Sequence, residues 1–215
     1  MNSVLSLPRL YPIIDAACFS AAHDPASAIT AFAEELLLGG ATLIQYRNKS
    51  SNIRQMLSQA RELRRATFNC TKLIMNDRTD LCLAAGFDGV HLGQDDLSPA
   101  AARHIFRAAG QDRLQIGYST HNLQQLREAD QLPVGYIAIG PVFATASKAN
   151  PGPVIGLEGV RAARQATGKP LVAIGGITRR NCQEVIEAGA DSVAVISDLV
   201  ESPRKSTEEF LRILG

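Results

Sequence analysis

Ala85-Gly86-Phe87-Asp88-Gly89-Val90 and Ala188-Gly189-Ala190-Asp191-Ser192-Val193 are near-copies within one chain of 215 residues, and Gly39-Gly40-Ala41-Thr42-Leu43-Ile44 is a looser third. Each follows a helix-period stretch and precedes an apolar, β-rich run. A glycine just past a helix can take the left-handed conformation that closes the last turn without a Cβ clash. The copies therefore read as tight helix-to-strand turns, and a repeat of this kind predicts a βα architecture. Working outward from them, strands are expected at 11–15, 41–46, 72–75, 89–92, 114–117, 134–139, 170–174 and 192–196. Several are continuous apolar runs, as parallel strands buried on both faces require. Helix-period stretches lie between them: Ile53, Met56, Leu57, Ala60 and Leu63 form one stripe, with Arg54, Arg61 and Arg65 left for water. A last helix is signalled by Ser202-Pro203 and carries Phe210, Leu211 and Leu214. Eight βα units of about 27 residues each predict a (β/α)8 TIM barrel at the short end of its usual size. An open doubly wound sheet would leave strands over. No linker or composition shift divides the chain, so residues 1–215 read as one α/β domain.

Composition narrows the function. Apolar residues make up 46% and charged residues 20%, the balance of a globular protein, and Lys+Arg 22 against Asp+Glu 21 gives a formal charge of +1. Such a chain has no overall basic field to draw it to nucleic acid, and no apolar run long enough to span a membrane. The N-terminal residues lack a secretory pattern. Cys18, Cys70, Cys82 and Cys182 include no C-x-x-C pair, and with four histidines they offer no zinc spacing. All four read as structural, in a reducing cytoplasm.

The polar residues fall at one end of the strands. Incoming ends carry Gly, Ala and Asp turns. Outgoing ends carry Gln45-Tyr46-Arg47-Asn48-Lys49, Asn76-Asp77-Arg78, His91-Leu92-Gly93-Gln94-Asp95-Asp96 and Gly117-Tyr118-Ser119-Thr120-His121, followed by 140–148, Gly175-Gly176 and Ile196-Ser197. In a barrel these converge on the C-terminal face, where active sites of this fold are built. Alternation along a strand puts Gln45, Arg47 and Lys49 on one face, and an Arg beside a Lys repels it unless an anion joins them; phosphate oxygens suit both. Asp77 and Asp96 leave successive strands, close enough to share a hard cation such as Mg²⁺. Asp88 and Asp95 read instead as turn or capping residues. Gly175-Gly176 and Ile196-Ser197 follow the seventh and eighth strands, where barrels often seat a phosphate. Thr145-Ala146-Ser147-Lys148 adds two hydroxyls and a cation, and Pro151, Gly152 and Pro153 suggest a semi-rigid flap ending at Gly156. His91 reads as a packed, hydrogen-bonded histidine and His121 as the start of the fifth helix. Neither is given a catalytic role.

Taken together, Gln45–Lys49, Asn76-Asp77-Arg78, the 89–96 stretch, Thr145-Ala146-Ser147-Lys148, Gly156-Leu157-Glu158-Gly159 and Ile174-Gly175-Gly176-Ile177 resemble the thiamine phosphate synthase (thiamine-phosphate pyrophosphorylase) family, related to TenI, in order from about Tyr11 to Ser197. The resemblance implies a barrel enzyme that joins 4-amino-2-methyl-5-hydroxymethylpyrimidine diphosphate to 4-methyl-5-hydroxyethylthiazole phosphate, giving thiamine monophosphate and pyrophosphate. It implies that Gln45, Arg47, Lys49, Asn76, Ser119 and Lys148 hold the pyrimidine diphosphate. Arg47, Ser119 and Lys148 would act in catalysis, and Asp77 and Asp96 would ligate Mg²⁺. Thr145, Ser147, Gly176, Ile196 and Ser197 would bind the thiazole phosphate. The family is thought to pass through a pyrimidine-methyl cation captured by the thiazole nitrogen, which needs no protein nucleophile. Asn48 stands where Glu is frequent and Ser147 where Thr is frequent. Tyr118, bulkier than usual, is expected to shape the pocket floor. A TenI-type thiazole tautomerase would need neither the Gln/Arg/Lys triplet nor the Asp pair; a catalytically silent thiamine-phosphate binding protein could retain both. A phosphosugar isomerase would want a proton-transfer pair that is not evident. The partners expected are small phosphorylated molecules, and a homo-oligomer is compatible with the sequence.

Overall fold

The computed structural model describes residues 7–50, 52–68, 70–145 and 152–215. Eight parallel strands close a barrel in sequence order: β1 (Leu10–Asp15), β2 (Leu43–Arg47), β3 (Lys72–Asn76), β4 (Gly89–Leu92), β5 (Gln115–Thr120), β6 (Tyr136–Ile139), β7 (Leu171–Ile174) and β8 (Ser192–Val195). Helices α1 (Pro25–Leu38), α2 (Ile53–Thr67), α3 (Thr79–Ala85), α4 (Pro99–Ala108), α5 (Leu123–Asp130), α6 (Gly156–Ala166), α7 (Cys182–Glu187) and α8 (Pro203–Leu214) follow the strands in turn. This is the predicted (β/α)8 barrel. β5 runs three residues past its expected end, so Ser119 is a strand residue, and β6 starts at Tyr136 instead of Val134.

Alternation sorts each strand's side chains. In β2, Ile44 and Tyr46 join the core between strands and helices, while Leu43 enters a second cluster inside the barrel with Tyr11, Ile13, Ile74 and Val172. Tyr118 packs outward, against the strand–helix core, and does not line the mouth, contrary to expectation. Its neighbour Ser119 takes the inward position. The α2 stripe holds at Met56, Ala60 and Leu63, but Ile53, in the first turn, is 48% exposed. Cys82 and Cys182 are buried, whereas Cys18 and Cys70 are exposed free thiols. His121 precedes α5, whose N-cap is Asn122.

The repeated turns behave as the sequence predicts. Gly86 and Gly189 have φ of +68° and +110°, which a Cβ would resist. Each following aspartate then trades two bonds with the preceding strand. Asp88 N donates to Leu73 O (2.8 Å) and Leu73 N to Asp88 Oδ2 (2.9 Å); Asp191 N donates to Leu171 O (2.8 Å) and Leu171 N to Asp191 Oδ2 (2.7 Å). An arginine from the helix before that strand completes each corner, Arg64 on Asp88 and Arg164 on Asp191. Units three and four are thus built like units seven and eight.

Candidate active site

The strands' C-terminal ends open on two adjoining cavities. The first is lined by Gln45, Arg47, Asn76, His91 and Ser119 among others, the second by Thr145, Gly175, Gly176, Ile196 and Ser197; Ser119, Ile174, Ala194 and Ile196 belong to both. A mouth with two compartments sharing a wall suits two substrates that must meet. Ser147 and Lys148, with residues 146–151 of the expected flap, lie outside the described residues.

Gln45 and Arg47 point into the mouth because the strand end is tied down behind them. Asn48, buried, donates from Nδ2 to Tyr46 Oη and Gln59 Oε1, each at 3.1 Å, and its Oδ1 accepts from Ser50 N at 2.8 Å. Tyr46 in turn donates to Gln59 of α2 at 2.6 Å. Asn48 thus fastens the β2 end to α2 and leaves its neighbours to the mouth. Neither cation stands bare, as their spacing suggested, and Lys49, past the end of β2, lines neither cavity. Arg47 is paired with the buried Asp15 and Lys49 with Asp77, so an incoming anion competes with carboxylates already in place.

Asp77 sits at φ +62°, an uncommon conformation that aspartate tolerates, held by its N–H on His91 O at 2.8 Å. Burial pushes its carboxyl above the ordinary carboxylate range; the Lys49 ammonium opposes this, and the neighbouring Asp96 carboxyl adds to it. Asp96 is oriented by Gly93 N at 2.7 Å. No group of three or more His, Cys, Asp or Glu able to hold a metal occurs among the described residues. Asp77 and Asp96 line neither cavity, but as two adjacent carboxylates next to the cavity-lining Asn76 they nonetheless fit Mg²⁺, which usually takes one or two and completes its shell with water and substrate oxygens.

Asn76, also buried, has no hydrogen-bond partner for its Nδ2 among the described residues. An orphaned donor in a cavity wall costs about 1–3 kcal/mol, which a ligand acceptor would recover. At Gly176, with φ +65°, an added Cβ would lie 2.5 Å from Ala144 O. Only glycine lets this turn approach the loop after β6.

Sequence reasoning missed Asp15, Tyr11 and Tyr136. Tyr11 and Asp15 share the inward phase of β1 with Ile13, a signal that alternation could have supplied. Tyr136 opens a strand that was expected to begin earlier. His91 is packed and hydrogen-bonded as expected.

The geometry can be set beside known proteins. The thiamine monophosphate synthase family model matches residues 10–199. A thiamine-phosphate synthase of Koribacter versatilis is 58% identical over 214 residues, spanning 100% of this chain and 99% of that protein. One from Chloroflexus aurantiacus is 43% identical, covering 89% and 85%. Among solved structures, a thiamine phosphate pyrophosphorylase from Pyrococcus furiosus superposes with a TM-score of 0.82 at 35% identity, covering 96% and 95% of the two chains. With a match of this extent and a mouth of this composition, the chain belongs to the thiamine monophosphate synthase family.

Proposed function

We propose that this protein makes thiamine monophosphate by joining 4-amino-2-methyl-5-hydroxymethylpyrimidine diphosphate to 4-methyl-5-hydroxyethylthiazole phosphate, with release of pyrophosphate. The observation that carries the reading is the end-to-end 58% identity with a thiamine-phosphate synthase. The two-compartment mouth supports it.

In the reaction the C–O bond to the diphosphate breaks and its electron pair leaves on oxygen, while the thiazole nitrogen supplies the pair for the new C–N bond. Arg47, Lys49 and Lys148 neutralise the charge that grows on the bridging and terminal oxygens, an effect worth most where the groups are preorganised and water is excluded. Arg47 arrives already oriented by Asp15. Gln45 and Asn76 hold the pyrimidine half. Thr145, Ser147, Gly176, Ile196 and Ser197 hold the thiazole phosphate, so its nitrogen reaches the reacting carbon across the wall that contains Ser119. No side chain is needed as a nucleophile, in keeping with a dissociative course. Asp77 and Asp96 would hold Mg²⁺, which when bound supplies electrostatic stabilisation of the leaving diphosphate. Holding both substrates in one mouth removes much of the entropic barrier to their encounter.

The free thiols suit a reducing cytoplasm, and no helix among the described residues is long and apolar enough to cross a membrane. The test is incubation with both phosphorylated precursors, with and without Mg²⁺. Thiamine monophosphate and pyrophosphate in equal amounts, only when the metal is present, are expected. Conversion of the thiazole precursor alone would instead identify a tautomerase.

A further inference from the structure

Barrel interiors of this fold are ordinarily filled by apolar layers. Here a line of polar groups crosses the interior. Gln45 Nε2 donates to Tyr11 Oη at 3.1 Å, Tyr11 Oη lies 2.8 Å from Tyr136 Oη, Tyr136 Oη 3.0 Å from His91 Nδ1, and His91 Nε2 2.8 Å from Ser119 Oγ. Tyr11, Gln45, His91 and Tyr136 are all buried. The rings are fixed by packing. His91 and Tyr136 stack at 5.5 Å and 22°, and Tyr11 meets Tyr136 edge-on at 6.0 Å. Room for the second phenol comes from Gly117, where an added Cβ would fall 2.0 Å from Tyr136 Cζ.

The bonds have a direction. Each phenol has one proton, and burial pushes both above the ordinary phenol range, so both stay protonated. Having accepted from Gln45, Tyr11 donates to Tyr136, and Tyr136 donates to His91 Nδ1. An imidazolium would donate at both nitrogens and, with Gln45 donating at the far end, would strand a phenol proton inside the barrel. A neutral ring that accepts at Nδ1 carries its proton on Nε2 and gives it to Ser119 Oγ. The Ser119 proton is then left for the mouth, and at the opposite end the Gln45 carbonyl is left as an acceptor. Reversing every bond would require the Gln45 amide to turn over, so the two ends switch together.

We infer that Tyr11, Tyr136 and His91 are positioning residues that hold the imidazole as its Nε2–H tautomer and thereby present the Ser119 hydroxyl as a donor and the Gln45 carbonyl as an acceptor to one substrate. The ligand chemistry this selects is a heteroaromatic ring bearing both an amino donor and a lone-pair nitrogen. That assignment rests on the proposed reaction, since the aminopyrimidine has both groups. The tautomer itself does not depend on it.

Two measurements test this. In protein labelled with ¹⁵N-histidine, long-range ¹H–¹⁵N spectra, assigned by difference from His91→Gln, are expected to show His91 as Nε2–H at neutral pH. The pattern should change in Tyr136→Phe or, should that variant not fold, in Tyr11→Phe. An Nδ1–H or doubly protonated ring, or a tautomer indifferent to both substitutions, overturns the inference. In steady-state kinetics, Tyr136→Phe is expected to lower kcat/KM about tenfold, as loss of a buried hydrogen bond predicts, and to add less than twofold to the loss in Ser119→Ala. Losses that multiply in the double variant would show that the tyrosine does not act through Ser119. Absence of product alongside the Nε2–H pattern would strike the proposed reaction and leave the tautomer standing.

Discussion

At the entry end of the barrel, Asp88 and Asp191 each exchange two hydrogen bonds with the neighbouring strand and take an arginine from the helix behind it. At the mouth, among the described residues, Asp15 and Asp96 accept backbone N–H groups only from their own loops, Ala17 at 3.1 Å and Gly93 at 2.7 Å, and Asp15 and Asp77 face side-chain cations. One set joins strand to strand, where losing a partner loosens the barrel. The other is bound to groups that a ligand can displace. The same residue type is structural in one place and available for chemistry in the other, and its partners decide which.

Substitutions at the two ends should therefore separate cleanly. The largest effect belongs to the mouth. Asp77→Asn, Arg47→Ala and Lys148→Ala are each expected to lower kcat by roughly 10²–10³-fold or more, the scale on which preorganised charge acts in transition states. Asp77→Asn keeps a side chain that suits φ +62° and removes a charge that burial and Asp96 disfavour. Its thermal midpoint without metal should thus not fall; a normal rate, or a collapse in melting temperature, would erase the distinction. Next comes Asp191→Ala, which removes a bond to Leu171 N and an arginine pair. A loss of about 2 kcal/mol is expected from hydrogen bonds to a charged group, or roughly 4–8 °C for a chain of this size, with kcat unchanged within about twofold.

A glycine pair sharpens the contrast at about 1–2 kcal/mol. Gly86 and Gly176 have nearly the same φ, +68° and +65°, but a Cβ meets nothing within 4 Å at Gly86 and Ala144 O at 2.5 Å at Gly176. Gly86→Ala should lower stability and leave KM alone, whereas Gly176→Ala should also raise KM for the thiazole phosphate several-fold. The smallest effect is one of pH. Burial works against the Asp88 charge, yet Leu73 N–H and the Arg64 guanidinium outweigh it and hold the carboxyl below its ordinary range. Its contribution is complete above the unfolded-state value of about 3.9 and is lost as pH falls through the lower folded value. Asp88→Asn should therefore flatten the acid limb of stability against pH below about 4; an unchanged limb would assign acid sensitivity elsewhere.

Most of the barrel was legible in the sequence because its signals are local: glycine turns, apolar runs and alternation along each strand. Gln45 and Arg47 were legible for the same reason, since alternation along β2 puts them at the mouth, whereas Asn76 and Ser119 fell just past their expected strands and were singled out by their place at the outgoing ends and by the family resemblance. The partners of these residues were not. That Asp15 meets Arg47, or that Tyr11 of β1 meets Tyr136 of β6, depends on barrel closure, which places side chains from distant strands face to face. Tyr118 was misplaced at the pocket floor for the converse reason, and the part Asn48 plays behind the strand was not foreseen. They point out of the wall, and a motif read as a string of letters does not say which of its members look inward.

The paired corners carry a consequence for how the polypeptide can be cut. Arg64, Leu73 and Asp88 all precede α4, and Arg164, Leu171 and Asp191 all follow β6, so neither latch spans the middle of the chain. Severed in the turn at 110–113, the two fragments would each retain a complete latch, and the seams between them would be the β4–β5 and β8–β1 pairings. Reassembly from separate halves is thus a matter of two edge-to-edge dockings and of remaking the interior contacts of Tyr11 and His91 with Tyr136 and Ser119, with the corners already made.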